Sequence, residues 1–511
     1  MIDAQECYVS CGFIESHLHV EGLHLLPEEY APALLSRGTT TVITDLHEIA
    51  NAAGLSGIRW YLSRAAASPL DFFIMAPSCV PSSKYEKGGA AIGLRELKTL
   101  RSWPTVIGLG EVMDLEAVWQ QRKEIMAKIG LFPGCPIDGH APGLAGEPLD
   151  LYLSAGIHSD HETSCLAEGE EKLKKGLHLF LREGSAAKDL DTLLPLIKPE
   201  YLSQLSLCTD DLSARDLFAG GHLDVLIGRL VRAGITLIDA LRLVTTSPAT
   251  YFGLKDRGRL SIGQRADIVV FSNPEKPEIV ATVKDGEVVY RRGEVSRPEV
   301  SRPRAAPAHL NMTSPAADRL RQSVVGSEIR AIGISEGSIV TSEIILKARR
   351  DGRFLASDPE NDVVFVYVFD RYRDTDQFGF GFVSGFSLKG GAMGSTYAHD
   401  SHNLIVVGTN VDDICHVAST LRECGGGMAA RYNGRDFSIP MPYYGMISDL
   451  DGPEFLGRES ELLALVRKMG VSLKNPFSQL SFLSLPVIPY LRLTTKGLFD
   501  VAKSRYVKAN W

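Results

Sequence analysis

Cysteine is scarce in this chain, eight residues in 511, and no two of them form a Cys-x-x-Cys pair. That excludes a disulfide scaffold and a zinc ribbon. No apolar stretch reaches the roughly 18 residues of a membrane helix, so no span is predicted. Positive charge is not in excess either. The net charge of −8 disfavours a nucleic-acid polymer, whose phosphates are met by clustered Lys and Arg. No internal repeat or low-complexity tract is found. The opening residues, Met1-Ile-Asp-Ala-Gln-Glu6, have neither the basic nor the apolar region of a secretory signal, and the expected compartment is the cytoplasm. What is present is ordinary globular composition, 44% apolar and 23% charged, with length for two or three domains. A small uncharged or cationic ligand suits such an acidic chain better than a polymer.

The most informative residues are His17 and His19, at the end of the apolar run Cys11-Gly-Phe-Ile-Glu-Ser-His-Leu-His-Val20. Alternate residues of a strand share a face, so both imidazoles point the same way and can form half of a metal site. Alone the pattern is weak, because strand histidines often face solvent. Further ligand-type side chains close later apolar runs: Glu111, His140, His161 and Asp210.

Between residues 11 and 250, short apolar runs alternate with helical patterns. The runs are Gly12–His19, Thr39–Leu46, Leu70–Pro77, Thr105–Val112, Pro136–His140, Gly156–His161, His178–Glu183 and Leu205–Asp210. Helices are predicted over Pro27–Ser36, Asn51–Ala67, Leu94–Ser102, Glu116–Ile129, Leu166–Lys175, Leu190–Leu202 and Leu223–Ala233. Eight such repeats over about 240 residues fit an α/β fold of the (β/α)8 TIM-like kind, with its active site at the C-terminal strand ends. Polar clusters fall there: Glu15-Ser-His-Leu-His19, Asp45-Leu-His-Glu48, Gly110-Glu-Val112, Asp138-Gly-His140, Ser159-Asp-His-Glu162, Arg182-Glu-Gly-Ser185 and Thr209-Asp-Asp211. Strand ends are polar in general, which explains one or two such clusters but not histidines and acids at nearly every strand.

Beyond the barrel, Gly258–Phe271 and Val283–Tyr290 alternate and turn at glycine, as the antiparallel strands of a small β-sandwich over 251–295 would. Residues 1–10 are expected to add a remnant of one sandwich strand. Ser296–Pro315 reads as a linker. Residues 316–511 form a C-terminal mixed α/β domain, with strands at Val363–Phe369 and Leu404–Gly408 and a helix over Val411–Glu423.

The order of His17, His19, Glu111, His140, His161 and Asp210 resembles the amidohydrolase superfamily, as does Gly263-Gln-Arg-Ala-Asp267. Longer motifs are similar to the adenine deaminase family within it. They include Thr41-Val-Ile-Thr-Asp-Leu-His-Glu-Ile-Ala-Asn51, Pro77-Ser-Cys-Val-Pro81, Gly108-Leu-Gly-Glu-Val-Met113, Asp138-Gly-His-Ala-Pro-Gly143 and Ser159-Asp-His-Glu162. Arg182-Glu-Gly-Ser-Ala-Ala-Lys188, Cys208-Thr-Asp-Asp211, His399-Asp-Ser-His-Asn403 and Ser481-Phe-Leu-Ser-Leu-Pro-Val-Ile-Pro489 fit as well. Three features depart from the family. It carries a longer segment before the barrel, so the sandwich is expected to be shortened on its N-terminal side. Gly22-Leu23-His24 stands where Ser-Ser-Met is usual, and Leu212 where a basic residue is usual.

The resemblance implies hydrolytic deamination of adenine to hypoxanthine and ammonia in purine salvage. It implies a binuclear divalent metal centre, manganese first, with iron or zinc as alternatives. His17 and His19 would hold one ion, His140 and His161 the other, and Glu111 would bridge. Asp210 would ligate one ion and accept the proton of the attacking water. A small purine base is the implied partner, without nucleic acid or membrane, for a homo-oligomer, specifically a dimer. Another base, or a cyclic amide, is the alternative substrate, and a non-catalytic metal- or ligand-binding relative the alternative class.

Deamination also needs a proton donor, and Glu162 and Glu183 are the catalytic candidates. Glu162 reads equally as an orienter of His161. Glu21, His47 and Glu48 are candidates for substrate contact or for a hydrogen-bonded second layer. His399, Asp400 and His402 read either as a local buried turn or as a loop that completes the pocket, with Gly390, Gly391 and Gly394 allowing close backbone approach. Gly425-Gly-Gly427 lacks the Lys-Ser or Lys-Thr of a phosphate loop and is expected to end a helix. Cys79, Cys165 and Cys208 are expected to pack.

Overall fold

Alternation along the strand His178–Arg182 shows how one element serves two layers. Leu179 and Leu181 join Leu205 and Leu207 in a cluster packed on helix residues Leu173, Leu223, Ile227 and Leu230. Phe180 points the other way, among Ile14, Ile43, Met75, Cys208, Phe252 and Leu254. Period-two burial on both faces is what a strand between a barrel interior and a helical ring requires.

The computed structural model describes residues 4, 6–185, 187–295 and 310–511. They divide into two compact units. One draws on Met1–His47, Ile58–Cys79 and Ile92–Ser301, the other on Glu48–Gly57, Val80–Ala91 and Arg302–Trp511. No helix among the described residues is long and apolar enough to cross a membrane.

The first unit begins with strand β1 (Tyr8–Cys11). Eight parallel strands follow: β2 (Phe13–Glu15), β3 (Thr39–Thr44), β4 (Asp71–Pro77), β5 (Val106–Val112), β6 (Ile137–Gly139), β7 (Ser159–Asp160), β8 (His178–Arg182) and β9 (Leu205–Cys208). β2 to β6 form one continuous ladder and β7 to β9 another. Between β6 and β7 the backbone link is His158 N to Ile137 O, 3.3 Å. The ring closes at Leu18 and Asp210, where Asp210 N donates to His17 O and His19 N to Asp210 O, at 2.9 and 3.1 Å. All eight apolar runs are therefore strands of one TIM-like barrel.

Helices depart more. Pro27–Ser36 is as predicted, but the predicted Asn51–Ala67 runs from His47 to Ala65 with Gly54 at φ 59° inside it. The predicted Glu116–Ile129 is two pieces, Leu115–Trp119 and Lys123–Gly130. Helix Gly146–Ser154 was not predicted; it is short and opens on Gly-Glu-Pro.

The small β-region is one five-stranded antiparallel sheet, β1 beside β10 (Ile268–Ser272), then β11 (Glu278–Lys284), β12 (Glu287–Arg291) and β13 (Glu294–Val295). Residues 258–267, predicted extended, are turns instead, with Gly258 and Gly263 in the left-handed region at φ 83° and 88°. Asp267 fixes the next strand's start, accepting from Asp285 N and Lys284 Nζ at 2.9 and 3.1 Å.

Of the predicted linker, residues 296–309 lie outside the described residues. Residues 310–316 have no regular structure but are tied down in the second unit. Asn311 N donates to Arg371 O at 2.8 Å and Arg422 Nε to Met312 O at 2.7 Å. That unit contains an eight-stranded mixed sheet, ordered Ser338–Lys347, Glu328–Ser335, Phe378–Ser384, Val364–Phe369, Leu404–Gly408, Ala392–Ser395, Gly427–Tyr432, Arg435–Pro440. Helix Val411–Glu423 covers one face through Ile414, Val417, Ala418 and Leu421. Asn410 caps it, accepting from Asp413 N at 2.8 Å. The triple glycine follows this helix, and Gly427 opens the next strand.

His178 gives the first unit a pH dependence. It is buried with Nε2 2.9 Å from Ser206 Oγ and its ring 4.4 Å from that of Tyr251. Burial lowers it from 6.5 to about 3. The unfolded chain therefore binds this proton more readily, so stability is full above 6.5 and is lost as pH falls towards 3. The loss approaches about 1.4 kcal/mol per pH unit. In metal-free protein, His178→Gln should make the fall of Tm between pH 6.5 and 4 visibly shallower; parallel curves would contradict this.

Candidate metal centre and active site

Two carboxylates and four imidazoles meet at the C-terminal ends of the barrel strands, all buried. Nε2 of His17 lies 3.3 Å from Glu111 Oε1 and 3.2 Å from Asp210 Oδ1. Nε2 of His19 lies 3.2 and 3.1 Å from the same two atoms. The second oxygen of Glu111 faces the other pair, Oε2 standing 3.2 Å from His140 Nδ1 and 3.7 Å from His161 Nε2. Glu111 thus divides its two oxygens between two sets of histidines.

These distances fit ligands arranged around cations, and only His140 Nδ1 among the four also hydrogen-bonds Glu111, at Oε2. Ligand atoms about 2.0–2.2 Å from one ion at roughly 90–110° are about 3–3.5 Å from one another. His17 Nε2 and Glu111 Oε1 are buried and make no directed hydrogen bond despite facing polar atoms at that range. Such atoms are costly unless something else satisfies them. His17, His19 and Asp210 form one group able to hold an ion, His17, Glu111 and His161 another, and His140, His161 and Glu162 a third. The residues fit the metals of the amidohydrolases.

Electrostatics agree. Burial alone would lower His17, but the Asp210 and Glu111 carboxylates outweigh it and raise the imidazole to about 10. His19 is likewise raised, against burial, chiefly by Asp45 and Asp210. Against burial, the neighbouring imidazoles hold Glu111, and His17, His19 and Arg182 hold Asp210, well below the carboxylate range. Burial and the neighbouring His17 lower His161 to about 4. A site that draws protons onto its imidazoles to balance its acids is one where a cation would replace those protons.

Local structure explains how these side chains are held. Asp210 has φ 56°, a left-handed conformation that asparagine and aspartate tolerate better than most residues; its N–H and C=O both bond the His17–His19 segment. Glu15 ties the same two strands, accepting from His17 N, Thr209 N and Thr209 Oγ1 at 3.0, 3.2 and 2.9 Å. His140 N donates to Tyr152 OH at 3.0 Å, and Tyr152 OH to Val112 O at 2.9 Å. Ser78 Oγ donates to Glu111 O at 2.6 Å, and buried Lys128 to Ser78 O at 2.8 Å.

Of the two proton-donor candidates, the structure brings only Glu162 to the cluster. Its Oε1 is 3.8 Å from His140 Nδ1 and 3.6 Å from His161 Nε2, and Arg182 Nη1 donates to it. Burial raises this carboxyl, but Arg182, then His140 and His161, win and lower it. Glu183 pairs instead with Arg229 at 2.6 Å and Lys188 at 3.6 Å. The reason is strand parity: Phe180 and Arg182 share the inner face of β8, so Glu183 takes the outer one.

Sequence reasoning missed Arg182, which also reaches Asp210 Oδ2 at 3.4 Å and Asp189 Oδ2 at 3.0 Å. The parity of β8 was the available signal. It also missed Asp45, which stands between His19 Nδ1 at 3.3 Å and His47 Nδ1 at 2.6 Å. His47 is 3.7 Å from Glu111 Oε1, so it lies beside the predicted ligands. Glu21 is buried in the turn Val20–Leu23 after His19. Cys79 is buried near His47, which does not offset the burial that pushes its thiol up to about 12. Leu212 is buried.

Glu48 belongs to the second unit, with His399, Asp400 and His402. His399 Nδ1 is 2.6 Å from Glu48 Oε1, and His402 Nε2 bonds Glu48 Oε2. His402 Nδ1 accepts Ala398 N–H at 3.1 Å, which places its proton on Nε2. Burial lowers His402 to about 4 despite Glu48. Asp400 is also buried, and His399 lies flat on Phe482, centroids 4.4 Å apart. The C-terminal histidines and Glu48 are thus one buried group.

Comparison with known proteins follows the same division. A model of the amidohydrolase family matches residues 8–290, and one of the adenine deaminase C-terminal domain matches 338–505. "Adenine deaminase 2" of Carboxydothermus hydrogenoformans is 38% identical over 505 residues, 98% of this chain and 88% of that protein. The adenine deaminase of Methanothrix thermoacetophila is 37% identical over 99% of this chain and 89% of its own length. That of Brucella anthropi is 38% identical over 99% and 90%. With both regions matched by family models and such relatives aligned along nearly the whole chain, the chain belongs to the adenine deaminase family of the amidohydrolases.

Proposed function

We propose that this chain hydrolyses adenine at C6, consuming one water and releasing hypoxanthine and ammonia. The observation that carries the reading is Glu111 facing two sets of histidines with its two oxygens, in a chain akin to adenine deaminases along nearly its whole length. When bound, two divalent metals would supply the lowered water pKa and Lewis acidity that attack on an amidine carbon needs at neutral pH. His17, His19 and Asp210 would hold one, His140 and His161 the other, and Glu111 both. All donors are nitrogen or oxygen, which suits manganese, the ion we propose, while leaving iron and zinc chemically possible.

The chain's own residues would move the protons. Asp210, anionic and steadied by Arg182, takes the proton of the attacking water. Glu162, also anionic at rest, takes one of the water's two protons and passes it to the ring nitrogen, while the other goes through Asp210 to the departing amino group, so hypoxanthine and ammonia carry both and neither acid gains one. Arg182 keeps both acids ionised between turnovers. Asp45 orients His19 and His47 as a carboxylate shared between imidazoles. Glu21 and His47 are proposed to contact the base. A cytoplasmic homodimer is proposed on the family likeness alone. The departures at Gly22-Leu23-His24 and Leu212 favour, as a second reading, a related base or cyclic amide.

Protein supplied with manganese should release ammonia from adenine and carry two metal equivalents by elemental analysis. Less than one equivalent, or ammonia from no purine, would refute the reading. Glu111→Gln should lower occupancy of both positions, whereas His161→Ala should empty mainly one. Asp210→Asn should reduce kcat by about 100-fold or more while adenine still binds, because an amide fills the position without accepting a proton. An unchanged kcat would remove Asp210 from the mechanism.

A further inference from the structure

The barrel's two ladders part between β6 and β7, and these are the strands that lead into His140 and His161. Beyond the single His158 N to Ile137 O bond, side chains cross the gap. Ser159 Oγ donates to Asp138 Oδ1 at 2.8 Å and accepts from Gly139 N at 3.3 Å. Above them stands Lys172, on helix Leu166–Lys174, with no solvent exposure. Its Nζ reaches Ala141 O at 2.7 Å, Asp160 Oδ2 at 2.8 Å, Thr163 Oγ1 at 3.1 Å and Glu168 Oε1 at 2.5 Å.

Those partners are neighbours of the two histidines. Ala141 follows His140, and Asp160 precedes His161. Asp160 Oδ1 accepts Ala141 N–H at 2.8 Å, so Ala141 is gripped at N–H by Asp160 and at C=O by Lys172. Glu168 accepts Gly143 N–H at 2.9 Å and so fixes the loop further along. An ordinary ladder bond is replaced by a buried cation that both strand ends share.

We propose that Lys172 is a positioning residue for the His140–His161 half of the metal centre, acting through Ala141 and Asp160. The inference rests on the two-metal reading above and adds a residue that touches no ligand atom. Removing the ammonium frees the Ala141 carbonyl that follows His140 and the Asp160 side chain that precedes His161, and leaves Asp160 and Glu168 as facing acids. The His17–His19–Asp210 half is held by Glu15 and by the barrel closure, so it should be spared. Support of this kind is usually worth about 10- to 100-fold in metal affinity.

The test is Mn2+ binding to metal-free full-length protein, followed by equilibrium dialysis and by calorimetry well below Tm. Wild type should take two equivalents. Lys172→Met should keep the first near wild-type affinity and weaken the second about 10- to 100-fold. Should that variant not fold, Glu168→Gln, which keeps both hydrogen bonds but not the charge, should weaken the second alone, by less. Leu173→Ala, a buried packing change on the same helix, should lower Tm yet bind both ions as wild type does. Equal weakening of both ions, or of neither, in the folded Lys172 or Glu168 variant would overturn the role of Lys172 alone. Wild type taking fewer than two ions would overturn the two-metal reading and this inference with it.

Discussion

The Glu111 carboxylate has one oxygen toward His17 and His19 and the other toward His140 and His161, and the rest of the barrel's upper end is arranged around that division. Two imidazole pairs that share no backbone element can address one anion only if four strand ends stop at the same height. His17 Nε2 and Glu111 Oε1 face each other without a directed hydrogen bond, His140 Nδ1 bonds Oε2 at 3.2 Å, and both pairs stand at a range that a cation between them would fit. Unsatisfied buried polar atoms would otherwise be a heavy burden on the fold. Here five of them, on His17, His19, Glu111, His140 and His161, lie at one place, which is characteristic of a site that stores instability for a ligand.

Holding those ends in place falls to side chains. Short strands give few ladder bonds near the top of the barrel, so Glu15, Tyr152, Ser78, Asp45 and Lys172 supply the missing constraints. Several of these hydrogen-bond the peptide unit next to a candidate ligand rather than the ligand itself. That fixes backbone direction while leaving the imidazole nitrogens for a metal. Arg182 plays a different part, concentrating positive charge between Glu162 and Asp210 so that two acids a few ångströms apart can both be ionised.

The barrel was legible in the sequence because each buried strand is a compact apolar run ending in ionisable residues. Its eight runs coincide with eight strands to within a few residues. The long helix Gly452–Lys468 escaped notice although Asp451 caps it, accepting from Glu454 N at 2.8 Å, with proline in its first turn. The six ligand-type residues were legible as an ordered set. Glu183 was offered as a candidate from its place at a strand end alone, and the strand's parity, which puts Arg182 inside, was not weighed. Lys172 could not be read at all: a lysine in the stretch Glu-Gly-Glu-Glu-Lys-Leu-Lys-Lys looks like one more charge on a solvated helix. Only the fold shows that this position faces the gap between two strands. Glu48 shows another limit, since its partners His399 and His402 are some 350 residues away in sequence.

The central claim is that Glu111 joins two cations into one centre. Electron paramagnetic resonance of the protein loaded with two equivalents of Mn2+ tests it most directly, because ions bridged by a carboxylate interact magnetically. The account predicts a spin-coupled spectrum in wild type that gives way to uncoupled Mn2+ lines in Glu111→Gln. Two isolated six-line Mn2+ signals from fully loaded wild type would contradict it.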